Sequence, residues 1–394
     1  MNMEELFMGN EQYKGRFFDS FGMLHDIRQQ GKVVHDLIDV LFIIVSAVFA
    51  KVDEVEEIYI WAVAEQNKKW LKKYIALKNG IPSISTFRRV LNAVDPKQFE
   101  KCFISWTKEL TVFSENGGDI VAIDGKTMRG SRDGDKITHI VSAWCSVNNL
   151  VLGQVKTDDK SNEITAIPEL LDLLYIEGCI VTIDAMGCQT KIVEKIIKKK
   201  ADYVISLKGN QGTLHNEVKE YYEDLKEDMA EIETGNHESV KVVKTLDKGH
   251  GRIEERKYFY STDIDWMIDA KKDWIGLAGI GMVYRKVIEK DKVTEEIQYY
   301  IGSIKDISQF AKAVRGHWGI ESVHWSLDVT FKDDANKTRK DLAPQNLAVA
   351  KRIVLNMVRN ETEEFPKWSA NKKRLMASLD VEYRTRVFDI NFKK

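Results

Sequence analysis

Two short apolar segments that each end on an aspartate constrain this 394-residue sequence more than any other feature. One segment runs from Asp119 to Asp124, and the other runs from Cys179 to Asp184. Apolar runs of this length are typical of strands that helices cover on both faces of a sheet. An unpaired carboxylate is costly to desolvate, so its place at the strand end indicates a function other than packing. Two carboxylates that converge in this way would repel each other unless a hard cation such as Mg²⁺ or Mn²⁺ lay between them.

The region 116–227 alternates predicted strands and helices. Asn148-Asn149 favours the positive φ values of a hairpin turn, and it joins strands over 136–147 and 150–156. The other predicted elements are helices over 163–174 and 189–200, a strand over 203–207 and a helix from 214. Asn162 and Glu163 can serve as the cap and the first-turn acid of the helix over 163–174. The order predicts an α/β fold with a mixed sheet covered by helices, which is the order of the ribonuclease H-like fold.

Residues 1–115 are predicted to form an all-helical N-terminal domain, with helices over 37–49 and 54–77. Ser83 or Ser85 can cap a following helix whose first turns expose Arg88 and Arg89. A turn followed by a capped, basic helix is the pattern of a DNA-binding helix-turn-helix. Two helices packed in any bundle would give the same pattern.

Strand-like runs dominate residues 228–303, which are therefore predicted to be a β-rich insertion. The catalytic fold is expected to resume over 304–360, with one helix over 307–331 and a packing helix over 343–359. Residues 361–394 are predicted to form a basic C-terminal tail. Residues 335–394 carry 14 Lys and Arg against 7 Asp and Glu, a pattern that suits either a solvated surface or contact with phosphates.

Composition excludes some classes of protein and leaves others open. The formal net charge of −2 gives no indication of a polyanionic partner, and the four cysteines form no CxxC motif. The most apolar stretch, 40–50, is too short to span a bilayer, and no signal peptide is evident. We therefore expect a cytoplasmic protein without a membrane segment.

The predicted helix over 307–331 carries a stripe of ionisable residues. His317, Glu321, His324 and Asp328 are spaced at i, i+4, i+7 and i+11, which places them on one helical face. If this face met Asp124 and Asp184, three carboxylates would suit two divalent ions about 3.5–4 Å apart and a phosphodiester substrate. Glu321-x-x-His324 is also the ligand spacing of di-iron bundles, and a helical His or Glu is often only a surface residue.

Six motifs carry a resemblance to a known family, and they extend over nearly the whole chain. They are Ala122–Ser131, Lys160–Ile164, Val181–Gln189, Tyr203–Gln211, Gly249–Arg256 and Arg315–Trp325. With these motifs the chain resembles the DDE-type insertion-sequence transposases, specifically the H-repeat-associated group. Pro82-Ser83 and Arg89-Val90-Leu91 resemble the N-terminal domain of that group.

The resemblance implies that Asp124, Asp184 and Glu321 are the catalytic, metal-binding triad. It implies two Mg²⁺ ions, which Mn²⁺ could replace, and a reaction that cleaves transposon ends and transfers the 3′-OH to target DNA. The expected partner is double-stranded DNA, comprising terminal inverted repeats and a target, and the protein is expected to act as a homodimer on DNA in the bacterial nucleoid. Related transposases carry Tyr, Arg and Lys around the catalytic Glu, where this sequence has Val314, His317 and Asp328.

Basic and histidine side chains near the motifs are candidates for contact with DNA phosphates. These candidates are Lys126, Arg129, Lys208, Arg252, Arg256, Arg315, His317, His324, Arg88 and Arg89. Surface charge or ion pairing within the protein would explain the same residues, and alternation along one strand suits an ion-paired sheet for Arg252, Glu254 and Arg256. A metal-dependent DNA nuclease of the same fold and a DNA-binding remnant without catalysis are the rival functions.

Overall fold

The computed structural model describes residues 16–133, 136–157, 163–249, 251–290 and 292–392. Its α-helices are α1 Arg16–Phe21, α2 Leu37–Phe49, α3 Val55–Val63, α4 Glu65–Leu71, α5 Ile84–Ala93, α6 Pro96–Leu110, α7 Glu163–Leu173, α8 Thr190–Lys198, α9 Gly212–Asp224, α10 Met229–Thr234, α11 Ile268–Asp273, α12 Ile307–His317, α13 Gly319–Val329, α14 Ala343–Asn360, α15 Ala370–Leu379 and α16 Val381–Phe392. Short 3₁₀ turns lie at Gln30–Lys32, Ala185–Gly187 and Gly209–Gln211.

The strands form one continuous mixed sheet. They are β1 Ile120–Asp133, β2 Lys136–Cys145, β3 Leu150–Lys156, β4 Ile180–Ile183, β5 Asp202–Leu207, β6 Val240–Gly249, β7 Arg252–Ser261, β8 Gly279–Glu289 and β9 Lys292–Gly302. The spatial order is β3-β2-β1-β4-β5-β9-β8-β7-β6. The pairs β1–β4 and β4–β5 are parallel, and the remaining pairs are antiparallel. β1 and β4 are neighbours in the interior of the sheet. β4 ends one residue before Asp184, but β1 continues past Asp124 to Asp133, so the prediction that the first strand ends on Asp124 is wrong.

Helices cover both faces of the central strands, because residues of each strand alternate between two apolar surfaces. Val121 and Ile123 of β1 belong to the core formed with α7, α8 and α9. Ile120 packs on the opposite face with residues of α12, and Ala122 shares a core with residues of α13. This arrangement buries the apolar runs and places Asp124 and Asp184 where the parallel pairing of β1 with β4 ends.

A helical body packs against this sheet and joins both ends of the chain. Its core contains residues of α1 to α6 together with α14, α15 and α16. α14 is buried over most of its circumference and contacts α2, α6 and β3. None of the described helices is long and apolar enough to cross a membrane.

Most predicted elements are confirmed, including the helix over 37–49 and the cap at Ser83. The hairpin of β2 and β3 is also confirmed, with Asn149 at φ 55°, but its loop covers residues 146–149, so the predicted two-residue turn at Asn148-Asn149 is wrong. The helix predicted over 54–77 is instead α3 and α4, and the helix over 307–331 is α12 and α13, separated at Trp318. The predicted cap at Asn162 lies outside the described residues.

Two segments differ more deeply from expectation. The strands predicted as an insertion continue the central sheet, because β9 pairs with β5. The basic segment after residue 360 is not a tail: α15 and α16 pack into the helical body, with Lys373, Arg374 and Arg384 buried. These three cations are therefore held inside the fold, whereas Lys367, Lys372 and Arg386 of the same segment are exposed.

Candidate active site

The register of two parallel strands brings Asp124 and Asp184 side by side. Ile123 pairs with Ile183, and each is followed by an aspartate. Backbone N–H groups fix both carboxylates. Asp124 Oδ1 accepts from the N–H of Gly125 at 2.9 Å, and Asp184 Oδ1 caps the following 3₁₀ turn by accepting from the N–H of Met186 at 3.0 Å.

The third predicted acid, Glu321, lies in the first turn of α13. Glu321 and Asp184 line the same cleft of about 180 Å³, together with His317 and Lys208. Gly319 permits this approach, because a Cβ at that position would lie 2.1 Å from the ring of Trp144 on β2. Asp184 and Glu321 therefore lie at one cleft, and both carboxylates are close enough to Asp124 to affect its pKa.

Negative charge accumulates around Asp124 without a matching cation. Burial, together with the negative charges of Glu163, Asp184 and Glu321, raises the pKa of Asp124 to about 7, against the hydrogen bond from Gly125. His324 Nδ1 lies 3.5 Å from Asp124 Oδ2. Burial and nearby cations lower the pKa of His324 to about 3, so this ring is neutral and does not compensate the carboxylates.

The two histidines of the predicted stripe have different environments. His317 Nδ1 lies 3.0 Å from Thr182 Oγ1 on β4, and burial lowers the pKa of His317. The Nε2 of His324 is buried without a hydrogen-bond partner. His317 thus lines the cleft between Asp184 and Glu321, whereas His324 lies on the opposite side, next to Asp124.

Comparison with known proteins agrees with this geometry. Residues 115–357 match the family described as Transposase DDE domain, and residues 18–107 match the one described as DDE_Tnp_1-associated. The chain belongs to the DDE transposase family. It is 41% identical over 374 residues to "Putative transposase YncI" of Escherichia coli O157:H7, which covers 93% of this chain and 92% of that protein. It is 36% identical over 377 residues to "H repeat-associated putative transposase YhhI" of Escherichia coli strain K12, with 93% and 96% covered.

DDE transposase domains generally depend on divalent metal ions, and the donor chemistry of this family member fits such an ion. Asp124, Asp184 and Glu321 offer hard carboxylate oxygens, and the raised pKa of Asp124 reflects in part a mutual repulsion that a cation would relieve. Among the described residues, no three His, Cys, Asp or Glu side chains are already gathered as a metal site. The carboxylate oxygens are therefore the kind of ligand that a divalent cation prefers, but in this structure the three side chains do not surround a common point.

Several of the predicted DNA-contacting cations of this transposase-family chain are exposed. They are Arg129, Lys208, Arg252, Arg315, Arg88 and Arg89. Lys208 borders the cleft that contains Asp184 and Glu321. Arg88 and Arg89 lie on α5 and line a separate cavity of about 950 Å³ with residues 337–341.

Two other residues predicted to contact DNA, Lys126 and Arg256, form ion pairs within the protein. Lys126 is 6% exposed, and its Nζ lies 2.5 Å from Asp328 Oδ1 and 3.2 Å from Asp334 Oδ1. Arg256 is 4% exposed and pairs with Glu254 at 2.5 Å and Asp247 at 3.0 Å. Arg256 therefore belongs to an ion-paired sheet, which was the alternative to a DNA contact. The ion pair of Lys126 joins β1 to α13, so its charge is not available to a ligand.

Glu163, which the sequence did not predict as a site residue, lies close enough to Asp124 to affect its pKa. Its carboxylate contributes to the electrostatic environment of Asp124. The signal was present in the Lys160–Ile164 motif, where Glu163 was interpreted only as a first-turn acid of α7. Residues 158–162 of that region lie outside the described residues, but Glu163 and its partner His139 are within them.

Proposed function

We propose that this protein is a DNA transposase that cleaves transposon ends and joins the freed 3′-OH to target DNA. One observation supports the proposal: Asp184, directly after β4, and Glu321 of α13 line one cleft, and both carboxylates act electrostatically on Asp124 of β1. Membership of the DDE transposase family supports the assignment of these three acids as the catalytic triad.

A ribonuclease H-like core is part of the proposal. The order β3-β2-β1-β4-β5 supports it, since an antiparallel hairpin precedes two parallel strands and helices cover both faces. We propose the core over 116–227 and 304–360, with 228–303 as its β-rich extension. We also propose that residues 1–115 form a DNA-binding part, supported by the exposed Arg88 and Arg89 on α5.

The acids of the triad would hold the divalent ions, which we propose to be two Mg²⁺, with Mn²⁺ as a substitute. When bound, such ions activate a water or 3′-OH nucleophile and stabilise the leaving oxygen. Lys208 and His317 border the cleft and would orient the phosphodiester there. Both steps, cleavage and joining, are the same displacement with different nucleophiles, so one site suffices for both.

Exposed cations outside the cleft would hold the flanking DNA backbone. Arg129, Arg252, Arg315, Arg88 and Arg89 are exposed, but four of them already pair with a carboxylate: Arg129 with Asp334, Arg252 with Glu254, Arg315 with Asp247 and Arg88 with Glu56. Phosphate groups would compete with these carboxylates for the arginines. Because a transposase must hold two DNA ends, we propose a homodimer on DNA, at work in the nucleoid of a bacterial cytoplasm.

The test uses a labelled DNA fragment from the border of the protein's own gene, Mg²⁺ and a supercoiled target plasmid. Joined product supports the proposal. Nicking without joining would instead favour a nuclease, and a gel shift without cleavage would favour a DNA-binding remnant.

The Asp184→Asn variant should lose cleavage by at least about 10³-fold and still shift the fragment, since it removes charge from the triad alone. Asp172→Asn is the matched control, because Asp172 is exposed on α7 and pairs with Lys195. Normal cleavage by Asp184→Asn would refute the triad.

A further inference from the structure

A chain of side-chain contacts holds Glu163 beside the triad. Glu163 Oε1 lies 2.8 Å from Nε2 of His139, and the other ring nitrogen of His139 lies 2.8 Å from Thr127 Oγ1. Thr127 and His139 are directly opposite each other in the β1–β2 register. The imidazole can therefore donate from Nε2 to the carboxylate while Nδ1 accepts from the Thr127 hydroxyl, which fixes the ring orientation.

Gly125 shows how close this carboxylate comes to the triad. A Cβ at position 125 would lie 2.0 Å from Glu163 Oε1 and 2.5 Å from His139 Nε2. The Glu163 carboxylate thus occupies the space above the residue that directly follows Asp124. Only glycine leaves that space open.

A structural role alone explains this arrangement poorly. An acid in the first turn of α7 would interact favourably with the helix dipole from any exposed rotamer. The side chain of Glu163 is instead 15% exposed, contacts His139 and adds negative charge close to Asp124. Such crowding disfavours folding without a cation, as expected for a group retained for binding one.

We propose that Glu163 is a fourth acidic residue of the active site, positioned by His139 and Thr127, and that it binds the divalent cation together with the triad. This inference rests on the proposed function, because it assumes that the triad holds the cation. It assigns His139 and Thr127 as positioning residues, since they act through Glu163.

The test measures binding of Mn²⁺ alone to the full chain by isothermal titration calorimetry, in the absence of DNA. Glu163→Gln should weaken Mn²⁺ binding by about tenfold or more, because the amide keeps the shape but loses the charge. Glu169→Gln is the matched control: Glu169 lies on the same helix and forms only an exposed pair with Lys97. Its Mn²⁺ affinity should equal that of the wild type.

Gly125→Ala provides an independent variant, because its methyl group must displace the Glu163 carboxylate. It should weaken Mn²⁺ binding in the same direction while leaving the circular dichroism spectrum unchanged. Should Gly125→Ala fail to fold, Glu163→Gln decides the question alone.

Asp184→Asn separates failure of this inference from failure of the proposed function. If Asp184→Asn loses Mn²⁺ affinity but Glu163→Gln does not, the role of Glu163 is refuted and the triad stands. If neither variant changes Mn²⁺ affinity, both the inference and the triad assignment are overturned.

Discussion

The helical body and the active site both keep charged side chains away from water, but they compensate the charges differently. In the helical body, Arg374 pairs with Asp53 at 2.5 Å, and Lys351 pairs with Asp333 at 2.8 Å. In the active site, Asp124 faces other carboxylates and a histidine that stays neutral. These two pairs of the helical body balance their charges within the protein, whereas the carboxylates around Asp124 leave an excess of negative charge that a bound cation would balance. Buried charges that are paired therefore stabilise the fold, whereas the unpaired charge at the site is suited to binding a cation.

Breaking one pair of the helical body should have the largest effect on stability. Arg374→Leu leaves Asp53, which is 5% exposed, without its cation and removes donors from the carbonyls of Val48 and Thr330. We expect the free energy of unfolding to fall by about 3–5 kcal/mol, measured by urea denaturation. A loss below about 1 kcal/mol would contradict the contrast between the two regions.

Removing Lys126 tests the connection between the regions, because its partner Asp334 adjoins Asp333 of the helical body. Lys126→Met should lower the free energy of unfolding by about 1–3 kcal/mol, less than Arg374→Leu since Asp328 and Asp334 are about one-third exposed and can be hydrated. A double-mutant cycle with Asp328→Leu should give a coupling energy of about 1 kcal/mol. Purely additive losses would show that Lys126 does not hold α13 against β1.

Removing a charge from the active site should raise the free energy of unfolding, in contrast to the two substitutions above. The folded-state pKa of Asp124, about 7, lies above its unfolded value near 3.8, so the folded state binds the extra proton. Wild-type stability should therefore fall as the pH rises from about 4 to 7, and Asp124→Asn should remove that part of the fall. In chelator at pH 8, we expect the variant to be more stable by about 1–3 kcal/mol in urea denaturation. Equal pH profiles for the two proteins would argue against uncompensated charge at Asp124.

The smallest effect should come from a surface pair next to the buried ones. Arg386 and Glu364 are bonded at 2.8 Å, but their side chains are 49% and 40% exposed. Arg386→Leu should change the free energy of unfolding by less than about 1 kcal/mol, measured under the conditions used for Arg374→Leu. A loss as large as that of Arg374→Leu would show that burial is not what separates the two pairs.

Local sequence patterns predicted the parts of the fold that depend on local chemistry. The apolar runs before Asp124 and Asp184 predicted β1 and β4, and the positive φ at Asn149 matches the predicted hairpin. Of the predicted polar stripe, His317 and Glu321 line the cleft with Asp184, although the helix predicted to carry the stripe is divided at Trp318. These features depend on periodicity and on turn conformation, both of which are readable over a few residues.

Contacts between residues that are distant in the sequence determine the features that local patterns did not predict. The break at Trp318 accompanies the close packing of Gly319 on Trp144, which lies far away in the sequence. Arg374 of the basic C-terminal segment is buried because Asp53 and the carbonyl of Val48 accept its hydrogen bonds. Glu163 was missed because its local role as a first-turn acid explained it sufficiently, and only the fold places it beside Asp124.

Trp318, at the junction of α12 and α13, connects strands β7 and β8 to the helix that carries Glu321. The guanidinium groups of Arg285 on β8 and Arg256 on β7 lie 4.3 Å and 5.5 Å from its ring centroid. A one-residue slip in either strand would turn the arginine to the opposite face and leave the indole uncovered. Insertions within β7 or β8 should therefore be tolerated poorly during evolution, whereas the hairpin ends beyond these arginines are free to vary in length.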